Sequence, residues 1–256
     1  MLEPPLYCDL NITRRCFLHC KMCYMWQRKW IEDELTEKSW ISFIDMLGDF
    51  SGNRMSINFT GGEPLLKEGL FKIIKYAVKK GFYTSAVTNA FHLDKGKIHQ
   101  IMDSGLNNLT ISLDSLDKDV HNSLRGVDGV YEKAVKAIDS FSRFCNTQLS
   151  IITVISNQNL DELDRLVEWM QQNNKLTSIY FQAVTQPLYA PTDENWRQDS
   201  RYNFLWPTDK EKIYCVLDKL IEFKSNGYFI ANPIKQLQVC LLYTSDAADE
   251  LDGVDL

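Results

Sequence analysis

Cys16, Cys20 and Cys23 place three thiols within eight residues, spaced Cys-x3-Cys-x2-Cys and followed by the aromatic Tyr24. Thiolates at this density are ligands for soft metals. Three is one fewer than a closed structural zinc site or a fully cysteine-ligated 4Fe-4S cluster takes. A cluster held by three cysteines keeps one iron open, as a catalytic zinc keeps one position for water or substrate. The competing reading is a non-catalytic zinc module with Cys8 or His19 as fourth ligand. Cys8 falls on a strand-like run and His19 is squeezed between two ligands, so neither is well placed.

Two further motifs lie downstream. Gly61-Gly62-Glu63-Pro64 follows the apolar run 55–59, and Ser112-Leu113-Asp114 ends another. Paired glycines let a backbone approach a ligand closely, Glu63 supplies a carboxylate, and Pro64 stiffens the exit. Ser112 and Asp114 are two apart, so on a strand they share a face. In this order over residues 6–185, the three motifs resemble those of the radical S-adenosyl-L-methionine (SAM) superfamily. The resemblance implies that Cys16, Cys20 and Cys23 bind three irons of a 4Fe-4S cluster whose fourth iron chelates the amino nitrogen and carboxylate of SAM. It implies reductive cleavage of SAM to a 5′-deoxyadenosyl radical that abstracts hydrogen from a substrate. It also implies that Tyr24 lies against the adenine, that Gly61, Gly62 and Glu63 hold the amino group, and that Ser112, with Asp114 on the same face, meets the methionyl or ribose part. Arg125, in His121-Asn122-Ser123-Leu124-Arg125-Gly126, stands where similar enzymes keep an arginine for a carboxylate, which a guanidinium binds through two parallel hydrogen bonds. Thr88 and Asn89 are further candidates to face SAM or substrate. His121 reads as a surface histidine, and Cys8, Cys145 and Cys215 as ordinary thiols.

The chain has 256 residues, 45% of them hydrophobic, enough for one sizeable domain or one plus a fragment. No run approaches the about 18 apolar residues of a membrane span, and the start lacks the basic and apolar regions of a signal peptide. An odd number of cysteines with three clustered favours metal chemistry in a reducing compartment over a disulfide framework. A cytoplasmic, anaerobic setting without a membrane partner is the expectation. Residues 240–250 (Cys-Leu-Leu-Tyr-Thr-Ser-Asp-Ala-Ala-Asp-Glu) are what one frame of a common transposase sequencing adapter encodes, and Gly253-Val254-Asp255-Leu256 is where that adapter resumes. Residues 240–256 are therefore expected to be adapter read-through and are set aside from fold reasoning. Without that tail's five acids the net charge of −6 becomes −1, which gives no reason to expect nucleic acid as a partner.

Strand-like runs at 6–12, 55–60, 82–88, 108–114, 148–155 and 178–184 alternate with helical patterns at 36–50, 67–80, 94–104, 129–144 and 160–173. Asn159 with Glu162 resembles a capping box for the last of these. Six βα units imply an α/β fold with a parallel sheet and right-handed crossovers. The pattern leaves a doubly wound sheet and a barrel both open; the resemblance selects a partial (β/α)6 barrel with outer helices. In either architecture chemistry gathers at the carboxyl ends of strands, which is where the cysteines, Gly61–Pro64, Thr88-Asn89 and Ser112/Asp114 fall. The core is expected over 1–207, including an aromatic- and proline-rich loop at 186–207. A helix at 209–225 and the start of a truncated C-terminal extension fill 208–239. Leu35-Thr36, the His121 to Gly126 segment and Asn232-Pro233 resemble the branch with an auxiliary iron–sulfur (SPASM/twitch-type) extension, many members of which modify peptides or proteins. The partners this implies are an electron donor such as flavodoxin or ferredoxin and a peptide substrate; the alternative is a small molecule of cofactor biosynthesis.

Overall fold

Strand and helix alternate along the chain as the sequence predicts. The computed structural model describes residues 5–27, 34–141 and 146–243; Cys145, the far end of the helix expected over 129–144, and the tail beyond 243 lie outside them. The strands are β1 Tyr7–Thr13, β2 Ser56–Gly61, β3 Tyr83–Thr88, β4 Asn108–Ser112, β5 Gln148–Ile155 and β6 Ser178–Ala183. The helices are α1 Glu37–Ser51, α2 Leu70–Lys79, α3 Lys95–Ser104, α4 Lys118–Arg125, α5 Val130–Ser140, α6 Leu163–Gln172, α7 Lys210–Ser225 and α8 Ile234–Tyr243. The six strands pair in sequence order, every neighbour parallel. This is the expected partial barrel, with helices covering one face of a curved sheet.

One helix of the barrel was not expected and one local expectation fails, each for an identifiable reason. Helix α4 escapes the periodicity search because its eight residues are mostly polar and only His121, Leu124 and Arg125 are buried; Asp117 starts it by accepting from the Asp119 and Val120 amides. The capping box at Asn159 does not form. The Asn159 amide is turned inward instead, donating to the Asp114 and Val154 carbonyls, while the Glu162 carboxylate accepts from Ser115 Oγ.

The two faces of the sheet differ in chemistry. Ile57, Phe59, Leu109, Ile111, Ile151, Ile179 and Phe181 point outward and are buried under the helices. The inward positions are mostly polar. Asp9, Asn58, Ser85 and Asn108 stand side by side in register across β1 to β4, in a lumen that parallel barrels ordinarily fill with branched apolar side chains. The outer edge of β6 is covered by residues 229–232. Ile179 N–H donates to the Phe229 carbonyl at 2.9 Å and Ala231 N–H to the Ile179 carbonyl at 2.7 Å. Asn232 completes this edge with its side chain, Oδ1 accepting from Phe181 N–H at 2.7 Å and Nδ2 donating to the Phe181 carbonyl at 2.8 Å. Among the described residues, no helix is long and apolar enough to cross a membrane.

Because Asn232 is buried, Asn232→Ala leaves a backbone donor and acceptor of Phe181 unpaired. The expected cost is about 3 kcal/mol, read by urea denaturation. Hydrogen exchange at the Phe181 amide should accelerate in step; an unchanged Phe181 amide would contradict this role.

Candidate functional site

The cysteine loop is fastened by backbone groups on both sides. Toward β2, Gly62 N–H donates to the Thr13 carbonyl at 2.8 Å and Glu63 N–H to the Arg15 carbonyl at 2.7 Å. Toward α4, Lys21 N–H donates to the Leu124 carbonyl at 2.9 Å. Toward the loop after β6, Leu188 N–H donates to the Met22 carbonyl at 3.2 Å and Tyr24 N–H to the Leu188 carbonyl at 2.7 Å. Glycine is required at three places along this loop: a Cβ on Gly61, whose φ is +124°, would stand 2.3 Å from the Thr13 carbonyl oxygen. A Cβ on Gly62 would stand 2.3 Å from the Arg15 carbonyl oxygen, and one on Gly126 2.3 Å from that of His19. The paired glycines therefore serve first to let β2 lie against the loop. Glu34 fixes the entry to the loop, accepting from Thr13 Oγ1 and Arg14 N–H and pairing with the buried Lys67 ammonium at 3.3 Å.

All three thiols line one end of a cavity of about 790 Å³ that runs into the barrel lumen. Burial pushes the Cys16 thiol up to about 11 and Cys20 up to about 12, and raises Cys23 as well. Arg125 opposes the rise at each of the three. Asn89 Nδ2 reaches Cys16 Sγ at 3.9 Å and Met25 N–H reaches Cys23 Sγ at 3.4 Å. Thiols in such a setting become thiolates when positive charge arrives with a metal. Three thiols on one short loop supply the soft ligands that an iron–sulfur cluster takes. A 4Fe-4S cluster takes one thiolate per iron and so takes ligands spread around a body larger than a single ion. An all-thiol set at the mouth of a deep cavity, with donors from Asn89 and Met25 directed at sulfur, fits that group.

Behind the thiols lies a buried ion pair. Asp114 is fully buried and takes Arg125 Nε at 2.7 Å and Nη2 at 3.0 Å. Its Oδ1 also accepts from Val154 N–H at 3.0 Å, and its own N–H donates to His121 Nδ1 at 3.1 Å. His121 is accordingly a core residue with no solvent exposure, which corrects its reading as a surface histidine. Burial lowers its pKa to about 4; Asp114 opposes the shift and Arg125 adds to it. With Nδ1 accepting, the proton of the neutral ring sits on Nε2.

The structure distributes the other expected site residues unevenly. Gly61, Gly62, Ser112 and Arg125 line the cavity with the cysteines, as do Thr88 and Asn89. Glu63 does not: it is 1% exposed, and its carboxylate accepts from Leu65 N–H, Thr88 Oγ1 and Asn89 N–H, tying the ends of β2 and β3 together. Burial raises its pKa against the pull of those three donors. Asp114 does not face the cavity with Ser112, because β4 ends at Ser112 and the Asp114 carboxylate turns toward α4 and β5. The two parallel hydrogen bonds of Arg125 go to Asp114, leaving the rest of the guanidinium toward Cys20 and the cavity. Tyr24 opens instead onto a second cavity of about 300 Å³, shared with Trp196, Arg201 and Tyr202 of the long loop. Met22, Trp26 and the polar lumen row also line the main cavity. The row carried a signal in the sequence: Tyr7, Asp9 and Asn11 alternate with Cys8, Leu10 and Ile12.

A parallel partial barrel with a three-cysteine loop at the carboxyl end of its first strand defines the class. The family model of the radical SAM superfamily matches residues 10–170, and the chain belongs to that superfamily. A PqqA peptide cyclase from Granulibacter bethesdensis is 28% identical over 173 residues, which is 66% of this chain and 45% of the relative. SuiB from Streptococcus suis bound to precursor peptide SuiA superposes with TM-score 0.71 at 17% identity, over 90% of this chain and 49% of that one. Native anSMEcpe with bound AdoMet and Cp18Cys peptide gives TM-score 0.69 at 19% identity, over 89% and 63%. The chain thus spans about half the length of the peptide cyclase and of SuiB.

Two predictions follow from the geometry. Gly62→Ala and Gly126→Ala each drive a Cβ into the loop backbone, at a cost of about 1–3 kcal/mol; both variants should lose most of their iron on reconstitution while keeping wild-type circular dichroism, and full iron retention would contradict the clamp. His121 titrates near 6.5 when unfolded and about 4 when folded. The unfolded chain therefore binds the extra proton first, and stability falls as pH drops from 6.5 toward 4, by roughly 3 kcal/mol in total. His121→Asn keeps an acceptor for Asp114 N–H without titrating, so urea denaturation should show a shallower loss over that window.

Proposed function

We propose that this chain is the catalytic core of a radical SAM enzyme that acts on a peptide or protein. The observation that carries the reading is the set of Cys16, Cys20 and Cys23 at the strand carboxyl ends, facing down a cavity deep enough for a cofactor and a substrate together. The three cysteines would hold three irons of a 4Fe-4S cluster. When bound, cluster and SAM supply a 5′-deoxyadenosyl radical by reductive cleavage. The protein's part is to hold and enclose. Gly61, Gly62 and Ser112 present backbone and hydroxyl at the cavity wall, for the amino group and the methionyl or ribose part of SAM. Glu63 and Asp114 act from behind, Glu63 through Thr88-Asn89 and Asp114 through Arg125. Arg125 keeps positive charge beside the sulfurs. Tyr24 joins the cysteine loop to the long loop beside the adenine. Peptide substrates are favoured because the matched relatives are a peptide cyclase and proteins solved with peptides bound. An auxiliary-cluster extension, an electron donor such as flavodoxin or ferredoxin and a cytoplasmic setting belong to the same proposal.

Reconstitution with iron and sulfide under anaerobic conditions tests it. The reduced protein should show a 4Fe-4S electron spin signal that changes on adding SAM, and should form 5′-deoxyadenosine. Cys16→Ala, Cys20→Ala and Cys23→Ala should each abolish both. A colourless protein carrying one zinc and no iron would sink the proposal. A mass change in a co-expressed peptide supports the substrate class; turnover of small molecules alone counts against it.

A further inference from the structure

Among the described residues, two charged side chains line the main cavity, Asp9 and Arg125. Their situations are opposite. Arg125, at the cysteine end, already has a carboxylate partner in Asp114. Asp9 has no cationic partner among the described residues. It sits four residues before the end of β1, about 13 Å down the lumen at some 3.3 Å per residue. The carboxylate is held in place. Ser85 Oγ donates to Asn58 Oδ1 at 2.9 Å, which turns the Asn58 amide to donate to Asp9 Oδ1 at 2.7 Å. Tyr7 OH donates to the same oxygen at 3.2 Å. Tyr180, lining the cavity from β6, is close enough to raise the Tyr7 phenol, which burial and Asp9 raise more strongly. Asp9 and Tyr7 are both solvent-exposed, so this end of the lumen is an accessible, pre-oriented anion carrying the Tyr7 phenol, with Tyr180 lining the same cavity, a setting that suits an ammonium or guanidinium group.

We infer that Asp9 is a specificity-determining residue that receives a cationic nitrogen group of the substrate, a lysine or arginine side chain or a free amine, at the end of the lumen away from the cysteines. The inference rests on the substrate occupying the cavity, as proposed above. A lysine or arginine anchored at Asp9 would carry its own backbone in mid-lumen, between Asp9 and the three sulfurs, so the carboxylate would set which substrate carbon faces the cofactor end.

The test uses the cluster-loaded full chain with SAM and four probes: N-acetyl-lysinamide, N-acetyl-argininamide, N-acetyl-norleucinamide and N-acetyl-glutaminamide. Dissociation constants come from ligand-observed NMR titration. The two cationic probes should bind about three- to fivefold more tightly than the neutral ones, as an ion pair with a solvent-exposed but pre-oriented carboxylate gives. Asp9→Asn should bring all four within about twofold of one another. Equal binding of the four probes to the wild-type protein overturns the inference without any variant, and so does a cation preference that survives in Asp9→Asn. Substrate-free cleavage of SAM by the wild-type protein decides the underlying enzymatic reading separately. If SAM is cleaved and the probes do not discriminate, the role of Asp9 fails and the enzyme stands.

Discussion

The Asp114–Arg125 pair is where the separate parts of this site become one object. Removing two charges from water costs several kcal/mol per ion, which is offset only when the geometry is good and the remaining lone pairs are satisfied. Both conditions hold. The contact uses two nitrogens and both carboxylate oxygens, and Asp114 Oδ1 takes a third donor from Val154. The backbone around the carboxylate is pinned as well, its N–H on His121 and its carbonyl on Asn159. One residue thus joins the end of β4, helix α4, strand β5 and the turn into α6. Arg125 stands at the far side of this knot, with its charge delivered to the wall beside the cysteines.

That arrangement explains why the loop bearing the thiols can be irregular and still be positioned. Its own residues form no helix or strand from Arg14 to Tyr24. Position comes from outside, through backbone hydrogen bonds to the β2 end, to α4 and to the loop after β6. The Glu63 carboxylate fixes the β2 end by holding three donors of the following turn and of β3. The Asp114 knot fixes α4. A binding geometry borrowed from rigid neighbours is more exact than one a free loop could keep.

How much of this was legible depended on whether a residue acts through its own periodic neighbours. The strands and six of the helices announced themselves because their apolar residues recur at period 2 or 3.6. That the cysteines, Gly61, Gly62 and Ser112 would gather around one cavity was legible because their place at strand carboxyl ends depends on type and local spacing. What was not legible shares a cause. His121, Asn159, Glu63 and Asp114 are polar residues whose partners lie far along the chain or on another element, and nothing local marks a histidine as buried or an asparagine as tied to the carbonyl of residue 114. Resemblance put Glu63, Asp114 and Arg125 in the right neighbourhood. It could not say that the first two face away from the cavity, because that follows from which donors each carboxylate finds.

The lumen turns the usual energetics of a parallel barrel inside out. Burial of apolar area stabilises the sheet from one side only, through Ile57, Phe59, Leu109, Ile111, Ile151 and Ile179 against the helices. The inner face is thereby free of a packing role and can carry amides, hydroxyls and a carboxylate. Of these, Asn58 and Ser150 are buried and need partners, and the lumen groups supply one another, Ser85 to Asn58 to Asp9 on one side and Ser150 to Asn108 to Thr110 on the other. Such a row keeps its geometry whether or not a ligand is present. The gap between β1 and β6 is spanned at the mouth by the cysteine loop paired with Leu188 and by Tyr189 OH on Asn11 at 2.9 Å. Under the proposed function that is the physical requirement of the chemistry: a reactive carbon-centred species needs a closed mouth where it forms and an ordered polar wall where the substrate waits. The loops supply the first, and the mostly polar inward positions of the strands supply the second.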